Sequence, residues 1–207
     1  MYSWYQGNYQ SKIEINTSID IYWTNLINFA CHEGYPGHHT EDTIKDKFLY
    51  RKKNYFETCI KMIYTPEMVI SEGIGQIAES VLFHPEISVN LSLEKFCLHP
   101  ELEDDLDTLI KQKMLKSKFS VLEGNLAYCK YVYNWNDDKI KDFLKQLEII
   151  PDSGIESMLK FISDELLIPY ILIYQGERLL IEKFGKHPNP KLFQNIYKDH
   201  TLPSDLI

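Results

Sequence analysis

No apolar run in the chain approaches the roughly 18–20 residues that span a bilayer, so a membrane-spanning helix is not expected. The opening, Met1-Tyr2-Ser3-Trp4, has neither a basic region nor an apolar stretch; no secretory signal is read there, and the cytoplasm is the expected location. Cations are in the minority, 22 Lys and Arg against 30 Asp and Glu, for a net charge of −8. Basic clusters of the kind that bind phosphate are missing, so no nucleic-acid partner is expected. Cysteines are few and irregular: Cys31, Cys59, Cys97 and Cys129 include no C-x-x-C pair, which points to reduced, partly buried thiols. Cys97 and His99 lie close in sequence, but two ligands without a second pair make a weak metal motif. Internal repeats and low-complexity tracts are also absent.

What remains is an ordinary globular balance, 44% hydrophobic and 25% charged over 207 residues, enough for one domain with a buried core. Helical periodicity dominates. Ile21, Leu26, Phe29 and Ala30 recur on one side of a helix expected over Ile19–Gly34, with Thr17 or Ser18 as N-cap and Pro36-Gly37 as its stop. A second helix is expected from His39 into Lys52-Lys53. Thr65-Pro66-Glu67 combines a cap, a proline at the first position and an acid in the first turn, and opens a helix running to about Phe83. Further helices are expected at about Pro100–Ser117, Phe119–Val132, Asp138–Leu147, Gly154–Ser163 and Asp164–Phe184. The acidic run Glu101 to Asp107 reads as the solvated opening of the first of these, and the last twenty residues as an arm or short helix. Only Lys12 to Asn16 alternates like a strand, with Ile13 and Ile15 on one face.

The chemistry concentrates in His32-Glu33-Gly34-Tyr35-Pro36-Gly37-His38-His39. Zinc hydrolysis needs imidazole or carboxylate ligands that leave one position for water, and a carboxylate beside that water. In the usual H-E-x-x-H motif the two histidines lie one helical turn apart. Here the second follows after six or seven residues. On an unbroken helix six residues rotate the side chain by roughly 240°, and seven add a rise of about 10 Å. Pro36 disfavours helix at Tyr35, and Gly37 permits a sharp or left-handed bend, so the chain can double back and bring His38 to the ion. Glu33, beside a ligand, is then the candidate general base.

A third ligand is offered by the helix after Thr65, which carries Glu72, Gly73, Gly75 and Glu79. Two glycines inside a helix cost about 1 kcal/mol each relative to alanine, which makes sense if another helix or the metal site approaches that face closely. Glu79 shares the face of Glu72 two turns on and is the candidate to hold a ligand histidine from behind. Read alone, these residues leave open unrelated histidines at a helix end and solvated glutamates.

The first block resembles the H-E-x-x-P-G-H-H signature of the domain of unknown function 885 family, zinc peptidases related to gluzincin carboxypeptidases and oligopeptidases. Ser71 to Glu79 is similar to its second, E-G-x-x-x-x-x-E block, and Gly7 to Asn16 resembles a segment preceding the zinc helix in one branch. The resemblance implies a mainly α, multi-helix, gluzincin-like metallopeptidase domain with a short edge strand before the zinc helix. It implies that His32, His38 and Glu72 bind Zn²⁺, with His38 favoured over His39, and that Glu33 activates water. Lys12–Asn16 is placed as the strand that pairs with peptide substrate. Tyr170 and Tyr174 are candidates to donate a hydrogen bond to the oxyanion, or else an aromatic stripe packed in the core. The chain departs from the family in lacking the Trp-Ala-Leu-Tyr run that follows Glu-Gly in many members. It also resembles only the C-terminal catalytic half of a larger peptidase, so the other wall of the cleft is expected from a missing N-terminal lobe or a second copy. The function expected is hydrolysis of peptide bonds in short peptides or at peptide termini. The rivals are a degenerate zinc-binding remnant, with His39 or a cysteine closing the fourth position, and a metal-free helical interaction module.

Overall fold

Helix α3 (Pro66–Leu82) is the element against which the site is built. Proline at its first position pre-sets the entering turn, although the Thr65 hydroxyl donates to the Met62 carbonyl instead of capping the helix. Most of its residues from Ile70 to Glu79 are buried, because helices pack on several of its sides. The computed structural model describes residues 1–18, 21–96, 105–119, 121–148 and 150–207. Within them the architecture is mainly helical, as expected, and no helix is long and apolar enough to cross a membrane.

The chain opens with an antiparallel hairpin, β1 (Tyr2–Gly7) and β2 (Gln10–Glu14), paired from Tyr2↔Glu14 to Gly7↔Gln10. The strand expected at Lys12–Asn16 thus sits two residues earlier and has a partner that was not expected. A 3-10 turn (Trp23–Asn25) leads into α1 (Leu26–Glu33), shorter than the helix expected from Ile19, a residue outside those described. After the Gly34–Gly37 turn, α2 (His38–Lys45) continues as a π-helix (Asp46–Lys52), as the periodicity indicated.

Helix α4 (Pro85–Phe96) follows α3 directly, and α5 (Leu106–Phe119) packs on it. Cys97, His99 and the acidic positions before Asp105 lie outside the described residues. A separate apolar cluster is formed by α6 (Leu122–Tyr131), α7 (Asp137–Gln146) and α8 (Asp152–Ser163), around Leu126, Ile140, Leu144, Ile155 and Ile162. The long helix expected over Asp164–Phe184 is divided into α9 (Ile168–Ile171), a 3-10 turn (Leu172–Gln175) and α10 (Gly176–Phe184). Helix α10 crosses α3 where Gly73 meets Gly176; a Cβ on Gly176 would stand 3.0 Å from the Gly73 Cα and 1.8 Å from the Val69 oxygen. Ile70, Ile74, Ile77, Leu180 and Phe193 fill the core beside that crossing. The terminal segment, with α11 (Pro190–Phe193) and two 3-10 turns, returns over α2 and α3.

Candidate metal centre

Helix α1 ends at Glu33, and the turn after it folds back on itself. The Gly37 N–H donates to the Cys31 carbonyl at 2.9 Å, which brings the start of α2 against the end of α1. Gly37 has φ −76°, so of the sharp or left-handed bend expected there the left-handed form does not occur. Its glycine is required by space: a Cβ would lie 1.8 Å from the His32 oxygen. The turn sets the His32 and His38 rings edge to face, with centroids 4.8 Å apart.

Glu72 reaches both rings from α3. His32 Nε2 lies 3.5 Å from Glu72 Oε1, and His38 Nε2 lies 3.6 Å from Oε2. Atoms bound about 2.0–2.2 Å from one tetrahedral ion sit about 3.3–3.5 Å apart; the two distances, one to each Glu72 oxygen, are close to that spacing. All three ligand atoms lie within 4.8 Å of one another, and they form the one such group among the described residues. The site has a cradle as well: a Cβ on Gly75 would come within 2.7 Å of the His32 ring, so only glycine lets the ring lie against α3. The ring also bonds the Gly75 backbone.

His39 stands apart from the group. Its Nδ1 lies 2.8 Å from the Ser11 hydroxyl on β2, and its Nε2 lies 3.0 Å from the Tyr35 hydroxyl. Glu79, the carboxylate expected behind a ligand histidine, is engaged elsewhere. It accepts from Asn28 at 3.1 Å and from Ser88, and pairs with Lys113.

The carboxylate that does stand behind a ligand is Glu41, one turn beyond His38 on α2. It is fully buried, accepts from the Ser71 hydroxyl at 2.5 Å, and lies 3.8 Å from His38 Nδ1; Ser71 in turn is 3.4 Å from Nδ1. Lys45 pairs with Glu41 at 2.8 Å and with Glu67 at 2.7 Å, and His200 bonds Glu67 at 2.9 Å. The sequence held one signal for Glu41, an acid three residues after a ligand and so on the same helix face. Nothing in spacing alone could have named Ser71.

Burial lowers His32 to about 4 despite the nearby Glu72 charge. Burial acts on His38 in the same sense, but hydrogen bonds to Glu41 and Glu72 outweigh it and raise His38 to about 9. Without metal at neutral pH, then, His32 is neutral and His38 carries a proton. Metal uptake at pH 7 should therefore release about one proton, read by calorimetry in buffers of different ionisation enthalpy. Since the folded value is raised, the His38 contribution to metal-free stability is complete below about 6.5 and lost as pH rises through about 9. The thermal midpoint of the metal-free chain should fall over that window. A heat independent of buffer would show that His38 binds metal without losing a proton.

Glu33 is buried beside the group, and burial raises its pKa above the ordinary carboxylate value. Tyr170 and Tyr174 hydrogen-bond each other, with ring centroids 5.4 Å apart. Burial, then the charge of Glu72, raise Tyr170; burial and its neighbour Tyr170 raise Tyr174. Both hydroxyls stay protonated, and the Glu72 charge acts on each, with that of Glu33 acting on Tyr170 as well. Cys31 is buried, its thiol pushed up to about 11 by burial and the Glu79 charge; Cys59 and Cys129 are free thiols.

No family model, no curated protein and no solved structure matches the chain. The functional reading accordingly rests on the site.

Proposed function

We propose that the chain is a gluzincin-like, zinc-dependent metallopeptidase of the domain of unknown function 885 type, cutting short peptides or peptide termini. The observation that carries this reading is the convergence of His32, His38 and Glu72, with Glu33 buried beside them. Two imidazoles and one carboxylate suit zinc and leave a coordination position open, the arrangement of hydrolytic rather than structural sites. His39, the nearest candidate to close that position, is occupied by Ser11 and Tyr35. When bound, the ion would polarise the scissile carbonyl and acidify the attacking water.

The protein's own groups supply the remainder. Glu33 takes the water's proton and passes it to the leaving amine; its raised pKa suits both transfers near neutral pH. Tyr170 or Tyr174 donates to the developing oxyanion. The β1–β2 hairpin, tied to the site by Ser11 and His39, offers an unpaired strand edge to an extended peptide. Phe56, Ile60, Met62, Leu166 and Leu172 are among the large apolar side chains left exposed, surface of the kind that a further lobe or second copy covers.

The test is metal content by plasma mass spectrometry on untagged protein, with His32→Ala, His38→Ala and Glu72→Ala alongside, followed by peptide hydrolysis. About one zinc per chain, lost in each variant, is expected. Failure to take up added zinc would remove the hydrolase reading and leave a helical interaction module.

A further inference from the structure

Whether His38 reaches His32 is decided by the turn between them, since five residues separate the two and neither helix runs through. One side of that turn is fixed by α1. The Gly34 and Gly37 N–H groups donate to the Ala30 and Cys31 carbonyls at 3.0 and 2.9 Å. A Cβ on Gly37 would collide with the His32 oxygen, so the turn lies flat against the end of the helix. The Pro36 carbonyl is left over. Helix α2 begins two residues later, and the Glu41 N–H that opens its ladder bonds Gly37; among the described residues no backbone N–H donates to Pro36. Its donor is the Tyr197 hydroxyl, at 2.6 Å and 161 residues further along the chain.

Tyr197 ends the 3-10 turn Gln194–Tyr197 and is 3% exposed. Its ring meets Phe193 edge to face at 5.5 Å, and with Phe193 and Ile196 it belongs to the core built on Ile70 and Ile74 of α3. The segment read from sequence as a terminal arm is thus seated on the helix that carries Glu72. A close-packed ring leaves its hydroxyl little freedom of position. Burial, then the Glu41 charge, raise the Tyr197 pKa, so the hydroxyl remains a donor at neutral pH. All three metal-group residues are thereby referenced to α3. Glu72 springs from it, the His32 ring lies on its Gly75, and the turn before His38 is tied to the core that covers it.

We propose that Tyr197 is a positioning residue of the metal centre: its hydroxyl holds the Pro36 carbonyl so that the turn presents His38 to the point where His32 and Glu72 converge. This rests on the metal-site reading for the role of the three residues, but the geometry it sets can be read with or without metal.

The test compares Tyr197→Phe, which keeps the ring, with Ile196→Val, which trims the same core and leaves the hydroxyl in place. Three readings are taken on the full chain. Zn²⁺ affinity is measured by competition with a chromophoric chelator, and the visible bands of Co²⁺-loaded protein report ligand geometry. In metal-free protein, the nuclear Overhauser effect between His32 and His38 ring protons reports the 4.8 Å juxtaposition of the rings. Tyr197→Phe should weaken zinc by about three- to tenfold, shift the Co²⁺ bands and reduce the Overhauser effect. Ile196→Val should lower the thermal midpoint and leave all three readings unchanged, because a chain that stays folded binds metal with an affinity independent of its reserve of stability. Thermal midpoints confirm that both variants fold. Readings unchanged in Tyr197→Phe would overturn the proposal, and zinc uptake would then leave the metal site standing. Equal changes in Ile196→Val would also overturn it, by making general core packing the cause. If the unsubstituted chain takes up neither ion but Tyr197→Phe still loses the Overhauser effect, the positioning role stands and the metal-site reading falls.

Discussion

Glu33→Gln is expected to reduce peptide hydrolysis by about 10²–10⁴-fold while zinc content stays at that of the unsubstituted chain. The two halves of this expectation come from separate features of the site. Glu33 is absent from the group of ligand atoms that converge on one point, so an isosteric amide there removes no metal bond. It directly follows His32 on α1 and is buried, so the amide does remove the carboxylate assigned to accept the water's proton. Burial raises the Glu33 pKa, and the acid limb of the pH–rate profile should therefore lie above the range of a solvated glutamate. Turnover at saturating peptide, read together with metal content, checks both halves. A variant that loses zinc in step with activity would make Glu33 a ligand, and one that retains activity would move the general base elsewhere.

What the sequence disclosed is uneven, and the pattern has physical causes. Helix α3 was legible because its beginning is written in local chemistry, Thr65-Pro66-Glu67, and its glycines announced close neighbours: the Gly75 backbone lies against the His32 ring, and Gly73 against Gly176. Helix α4 was passed over because its buried side includes Ser88 and Ser92, which blur the apolar period. Their hydroxyls are satisfied by Glu79 and by the Ser88 carbonyl, partners that only the fold brings near. Strand β1 was missed for the opposite reason. Tyr2, Trp4 and Gln6 face outward and Ser3, Tyr5 and Gly7 inward, so its alternation carries no contrast of apolar and polar side chains. At the site, ligand spacing pointed to the broken turn, and of the two kinds of bend that Gly37 permits the chain takes one without positive φ, where the absent side chain leaves room for the His32 carbonyl. Behind the ligands, shared helix face favoured Glu79 for a ligand histidine; the partners found for that carboxylate are Lys113, Asn28 and Ser88, residues that only the fold brings near.

Glu41→Ala is expected to be the most damaging substitution away from the ligands. Burial alone would raise the Glu41 pKa; the Lys45 ammonium and the hydrogen bond with His38 outweigh it and hold it well below the ordinary value, so the group is an anion at neutral pH. Removing a fully buried anion leaves Lys45 with Glu67 alone, and leaves the Ser71 hydroxyl and His38 Nδ1 without their acceptor. Breaking a buried ion pair in this way typically costs about 3–5 kcal/mol, which denaturant unfolding of the metal-free protein would read. Loss of a carboxylate behind a ligand histidine typically weakens metal binding by about 10–100-fold. Glu41→Gln separates the two effects, since it keeps the shape and an acceptor for Ser71 while removing the charge that faces Lys45. The amide should recover part of the metal affinity and little of the stability. If instead Glu41→Ala unfolds like the unsubstituted chain and binds zinc equally well, the line from Lys45 through Glu41 to His38 is a bystander, and the His38 ring is fixed by the Gly34–Gly37 turn and Glu72 alone.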